Sequence, residues 1–127
     1  MVGLDVLRGN IKDIRKGLAF FKSGKEFQFE LERLSKSGRV IDREGLTKAG
    51  RALDKHGNRV ESVFPKATGN PAAKNLQGQH QLDAILNNSK SMTYPNRFGG
   101  IDVFSPDGRG ARFDAEGNLM GFLQPRM

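Results

Sequence analysis

The sequence predicts an α+β domain in which N-terminal helices pack on one face of a C-terminal four-stranded antiparallel meander. Apolar residues recur at spacings of three and four until about residue 88. From Ser91 the period shortens to that of a strand, and turn-forming clusters follow at close intervals. Helices first and short strands afterwards is the pattern of α+β architecture, in which the helices cover one sheet face. The other face is then open for a ligand. A chain of 127 residues fits one domain, residues 1–127, with a helical part at 1–45 and a core at 46–127.

Leu4, Leu7, Ile11, Ile14, Leu18 and Phe21 form one apolar stripe, so residues 3–22 read as an amphipathic helix. After Ser23-Gly24, Phe27, Leu31 and Leu34 continue the helical spacing until Ser37-Gly38, which predicts a helical hairpin. Residues 46–56 form a third helix, with Leu46, Ala49 and Leu53 inward, Lys48, Arg51 and Lys55 outward, and Gly57 as its stop. The stretch Phe64-Pro65-Lys66-Ala67-Thr68-Gly69-Asn70-Pro71 is a loop, because two prolines and a glycine interrupt any ladder. Ala72 to Asn88 is helical again, with Leu76, His80 and Leu86 along its length. Strands are expected at 91–97, 100–105, 109–114 and 118–124, separated by Phe98-Gly99-Gly100, Ser105-Pro106-Asp107-Gly108 and Ala115-Glu116-Gly117-Asn118. Ile101, Val103, Ala111 and Phe113 supply the buried faces.

Charge narrows the partners. The formal net charge is +7 with a pI near 10.1, and a basic surface raises the local concentration of phosphate backbones or of an acidic protein. The residues before 61 hold 14 of the 21 Lys and Arg, so the basic face belongs mainly to the N-terminal half. No apolar run is long enough for a membrane span, and no export signal opens the sequence. There is no Cys and there are only two His, and the acidic residues are scattered, so the sequence predicts no metal site and no cofactor. A phosphate loop ending in Lys-Ser/Thr is missing too, which argues against an ATP-dependent enzyme.

RNA cleavage needs fewer groups, since the ribose 2′-hydroxyl is the nucleophile and the protein supplies proton transfer and charge stabilisation. His56 sits beside Lys55 at a helix end, three residues before Arg59. The helix C-terminus favours its cation and Lys55 opposes it, so its pKa is expected near neutrality; the alternative is an exposed capping residue. His80, in mid-helix between two Gln, is the weaker candidate. Arg97, Arg109 and Arg112 lie on the strands or their turns, where a sheet face would offer guanidinium groups to a phosphate. Thr93 and Tyr94 add hydroxyls there. A non-catalytic basic RNA-binding module accounts for the charge equally well but has no use for His56. A DNase fits less well, because DNA lacks the internal nucleophile and no metal cage is apparent.

From Leu46 to Pro125 the chain resembles the C-terminal toxin domains of contact-dependent growth-inhibition and related polymorphic effectors. The resemblance rests on Gly50-Arg-Ala-Leu-Asp-Lys-His-Gly57, Ser62-Val-Phe-Pro-Lys66, Gly69-Asn-Pro71, Gln77-Gly-Gln79 with Leu82-Asp-Ala-Ile-Leu86, Asn96-Arg-Phe-Gly-Gly100, Pro106-Asp-Gly-Arg-Gly110 and Gly121-Phe-Leu-Gln-Pro125. It implies a metal-independent ribonuclease that cleaves tRNA, secreted as part of a larger effector, acting in the target-cell cytoplasm and neutralised by a cognate immunity protein, which the basic surface predicts to be acidic. Some toxins of this group depend on elongation factors Tu and Ts. By analogy, the element order is similar to the barnase, EndoU, colicin D and RelE ribonuclease fold. The resemblance makes His56, Lys55, Arg97 and Thr93 the catalytic candidates. Lys48, Arg51, Arg59, Lys66, Arg109 and Arg112 are the candidates for holding nucleic acid.

Overall fold

A computed structural model describes residues 24–126. The predicted helix at 3–22, and with it the first arm of the helical hairpin, lies outside the described residues. Helix α1 spans Gly24–Ser37 and buries Leu34. The predicted helical part up to residue 45 needs correction at its end, where a hairpin of β1 (Ile41–Arg43) and β2 (Leu46–Thr47) stands instead. Its turn, Glu44-Gly45, has φ of 56° and 78°. Two consecutive left-handed residues match the twist of a tight hairpin, and Gly45 takes its share without steric cost.

Helix α2 therefore starts two residues later than expected, at Lys48, and runs to Gly57. Thr47 caps it, its Oγ1 accepting from the Gly50 amide at 3.0 Å, which satisfies one of the free amides of the first turn. Helix α3 (Pro71–Asn87) is capped by Asn70, with proline at its start. Leu82, Ile85 and Leu86 form its buried side, whereas Leu76 is exposed, contrary to the stripe read through it. The two helices cross with backbones in near contact. A Cβ on Gly78 would overlap the Ala49 carbonyl, and one on Gly50 would overlap Asn75. Asn75 uses the closeness, accepting the Thr47 amide at 2.8 Å and donating to the Gly45 carbonyl at 2.9 Å. Hairpin, α2 and α3 are thereby fastened at one point.

The sheet is a meander of β3 (Met92–Pro95), β4 (Ile101–Phe104), β5 (Gly110–Phe113) and β6 (Leu119–Leu123), in that spatial order and antiparallel throughout. Register places Thr93, Val103, Ala111 and Phe122 across from one another, and all four are buried. This is the face the helices cover, and it shares one hydrophobic core with Leu34, Leu53, Leu82 and Ile85. Tyr94, Asp102, Arg112 and Gly121 are aligned on the other face. That face is only partly open: Asp102 and Phe104 are buried on it, and the Arg126 guanidinium lies 3.9 Å from the Tyr94 ring.

Candidate active site

A cleft of about 480 Å³ lies between α2 and the edge strand β6. Helix α2 supplies Lys48, Arg51, Lys55 and His56, and the sheet side supplies Arg112, Phe98 and Gly121. The helical spacing explains the first set: positions 48, 51 and 55 recur every three or four residues, so their cations share one face. Arg51 is held by Asp42 of the hairpin at 3.0 Å, whose carboxyl is kept below the usual range by that guanidinium. Lys48 and Lys55 make no ion pair among the described residues.

Arg112 is oriented by its cross-strand neighbour. Its Nε and Nη2 each donate to a different oxygen of Asp102 at 2.8 Å, and Asp102 is buried. A planar fork on a carboxylate fixes the guanidinium in rotation as well as position. The carboxylate also raises the Arg112 pKa, so the group is a permanent cation. Asn96 completes the support, donating to Asp102 Oδ1 at 3.0 Å and to the Phe113 carbonyl at 2.9 Å. Neither Asp102 nor Asn96 is among the candidates that the sequence offers by residue type, although Asn96 opens the Asn-Arg-Phe-Gly-Gly run. Arg97 is exposed and lies outside the cleft lining, with its guanidinium 4.9 Å from the Phe98 ring; Arg112 is 5.5 Å from the same ring. Phe98 is thus flanked by two cations at the rim of the cleft.

His56 is neither exposed nor near neutrality, which corrects both expectations. It is 7% exposed and meets the Phe64 ring edge-on at a centroid distance of 6.0 Å; Phe64 in turn stacks on Phe122 at 4.7 Å. Burial, and then the charges of Arg59 and Lys55, lower its pKa from 6.5 to about 4. Desolvation opposes the cation more strongly than the helix end favours it. Nδ1 lies 3.2 Å from Gln124 Nε2. Nε2 has no hydrogen-bond partner among the described residues, and His56 lines the cleft.

Several predicted residues are not brought here. Thr93 points into the core at 2% exposure, because the register places it on the helix-covered face, and it is not available to a phosphate. Arg109 sits in the β4–β5 turn, paired with Asp107 at 2.8 Å and bonded to Gln81 of α3; this is a structural bracket away from the cleft. Lys66 is exposed in the α2–α3 loop and Arg59 just after α2; neither lines the cleft, and Arg59 reaches His56 through its charge. His80 is exposed on α3.

The family model described as the CdiA C-terminal tRNase toxin domain matches residues 34–124. The chain belongs to this family. It is therefore a tRNA-cleaving nuclease, and the reading as a non-catalytic RNA-binding module falls. The match begins at Leu34, earlier than the motif blocks, and so includes the end of α1 and the whole hairpin. Among solved structures, the toxic C-terminal tip of CdiA from Pseudomonas aeruginosa, determined in complex with its immune protein, is similar with a TM-score of 0.60 at 25% identity; the match covers 69% of this chain and 99% of that one. No curated protein matches the chain. As a CdiA tRNase toxin domain the molecule has an α+β fold, as expected, with helices on one face of a four-stranded antiparallel sheet.

Proposed function

We propose that tRNA is cleaved in the cleft between α2 and β6, without a metal ion. The observation that carries this reading is the convergence of Lys48, Arg51, Lys55 and Arg112 on a cleft that also holds an uncharged imidazole. The ribose 2′-hydroxyl gives its proton to solvent and attacks the adjacent phosphorus, the P–O5′ bond breaks to leave a 2′,3′-cyclic phosphate, and the departing 5′-oxygen takes a proton from solvent. The cations offset the charge that gathers on the non-bridging oxygens, and His56 meets the reacting phosphate. Arg97 and Phe98 receive the flanking nucleotide at the rim, and Arg59 and Lys66 extend the basic track. The two carboxylates of the cleft are already engaged: Asp42 with Arg51, and Asp114 with the amides of Glu116 and Asn118 at 2.9 Å.

In this reading residues 1–127 act as one toxin domain, delivered as the end of a larger effector to the cytoplasm of a target cell. In the producing cell a cognate acidic immunity protein covers the cleft and neutralises the toxin, and charge complementarity speeds its capture. Support comes from the net charge of +7 and from the immune-protein complex of the Pseudomonas relative. The test is incubation of purified protein with total tRNA in EDTA, with and without elongation factors Tu and Ts, whose involvement the family resemblance raises. Cleavage in EDTA is expected, and intact tRNA in every arm would refute the reading.

A further inference from the structure

His56 has one ring nitrogen engaged by a side chain whose own orientation is fixed. Gln124 Oε1 accepts the Val63 amide at 3.1 Å, so its amino group must be the end that faces His56 Nδ1 at 3.2 Å. The same amino group donates to Ser62 Oγ at 3.1 Å, and Ser62 Oγ accepts the Phe64 amide at 3.0 Å. Turning the Gln124 amide over would place an NH₂ against the Val63 N–H, two donors face to face. A side-chain NH₂ can only donate, so Nδ1 must accept, and in a neutral imidazole the proton then resides on Nε2.

We propose that Gln124 is a positioning residue that holds His56 as the neutral Nε2–H tautomer, so that His56 gives the cleft a fixed hydrogen-bond donor. The inference rests on the reading of the cleft as the cleavage site. An imidazolium would carry a proton on Nδ1, directed at the Gln124 amino group, so this contact resists protonation in addition to burial. The charged groups around the ring act in the same sense: Lys55 from α2 and Arg59 beyond it oppose a third cation. Across the cleft Arg112 is a further cation, while Asp42 and Asp114 are the carboxylates of the lining; β6 contributes no titratable group. A neutral donor requires no proton transfer at this atom. It stabilises the developing oxyanion as a fixed dipole does, at the same strength from pH 5 upward.

The experiment uses the full chain labelled with ¹⁵N, and long-range ¹H–¹⁵N correlation spectra of the His56 ring at pH 7. The expected result is an unprotonated Nδ1 and a protonated Nε2, with no titration between pH 5 and 8. In Gln124→Glu the carboxylate can still accept the Val63 amide, but it accepts from Nδ1 as well. The tautomer should invert, the pKa should rise, and cleavage of tRNA should fall about 10–100-fold, as for other lost supports of an active imidazole. A protonated Nδ1 in the wild-type protein, or spectra identical in Gln124→Glu, would overturn the proposal whatever the variant's activity. His56→Ala cleaving at the wild-type rate would instead overturn the catalytic reading of the cleft and leave the tautomer assignment standing.

Discussion

His56 couples the site to acid stability. Its pKa is about 4 in the folded protein against 6.5 in the unfolded chain, so between these values the unfolded chain takes up a proton that the folded protein does not. Stability contributed by the neutral ring is complete above pH 6.5 and is lost as pH falls through 4, a change on the order of 3 kcal/mol. Urea midpoints should fall between pH 7 and pH 4.5, and His56→Gln should flatten that window. The lowered carboxyls of Asp42, Asp107 and Asp114 act below it, so the two effects separate on the pH axis. Cleavage tests the same residue: His56→Ala should cut tRNA about 10²–10³-fold more slowly while remaining folded, the usual cost of one oxyanion donor. Arg112→Ala should destabilise by about 3 kcal/mol, because it strands the buried Asp102 carboxylate. Thermal unfolding would show the loss, and a drop in cleavage in the surviving folded protein would show the role in the cleft.

Among the elements, α2 carries two duties on different sides: Ala49 and Leu53 are buried while Lys48, Arg51 and Lys55 line the cleft. Its place depends on the glycine crossing with α3. Gly78→Ala should cost about 1–3 kcal/mol or more in denaturant unfolding, since the atom in the way is backbone and cannot swing aside. Gly121 on β6 makes the contrasting case. A Cβ there meets nothing within 4 Å, and the residue lines the cleft. Gly121→Glu should fold with near-normal stability yet lose most tRNA cleavage, because it sets a carboxylate where phosphate is held. If that variant cleaves normally, the phosphate does not pass β6.

For the whole molecule, the excess positive charge predicts binding that is steep in salt. Each cleft cation removed, as in Lys48→Ala or Lys55→Ala, should flatten the slope of log affinity against log salt by about 1. Filter binding of tRNA across a salt series measures it. Arg109→Ala should leave the slope nearly unchanged, since its guanidinium is spent on Asp107 and Gln81. A similar flattening in Arg109→Ala would mean that the RNA track extends to the β4–β5 turn.

Much of the fold was legible in the sequence because period and turn chemistry are local properties. The Gly-rich turns separated four strands, the helix expected from Ala72 starts within one residue of it, at Pro71, and positions 48, 51 and 55 shared a face by spacing alone. The hairpin at 41–47 was missed, since its strands are too short to show a period and Asn75, far along the chain, holds them. Sequence could name His56 and Arg112 as candidates by type. It could not decide that burial makes one of them neutral, that Asp102 aims the other, or that Thr93 faces the core and Arg109 braces a turn. Those outcomes depend on which side chains lie across a sheet or behind a helix, and only tertiary packing sets the solvent exclusion and long-range partners that control charge.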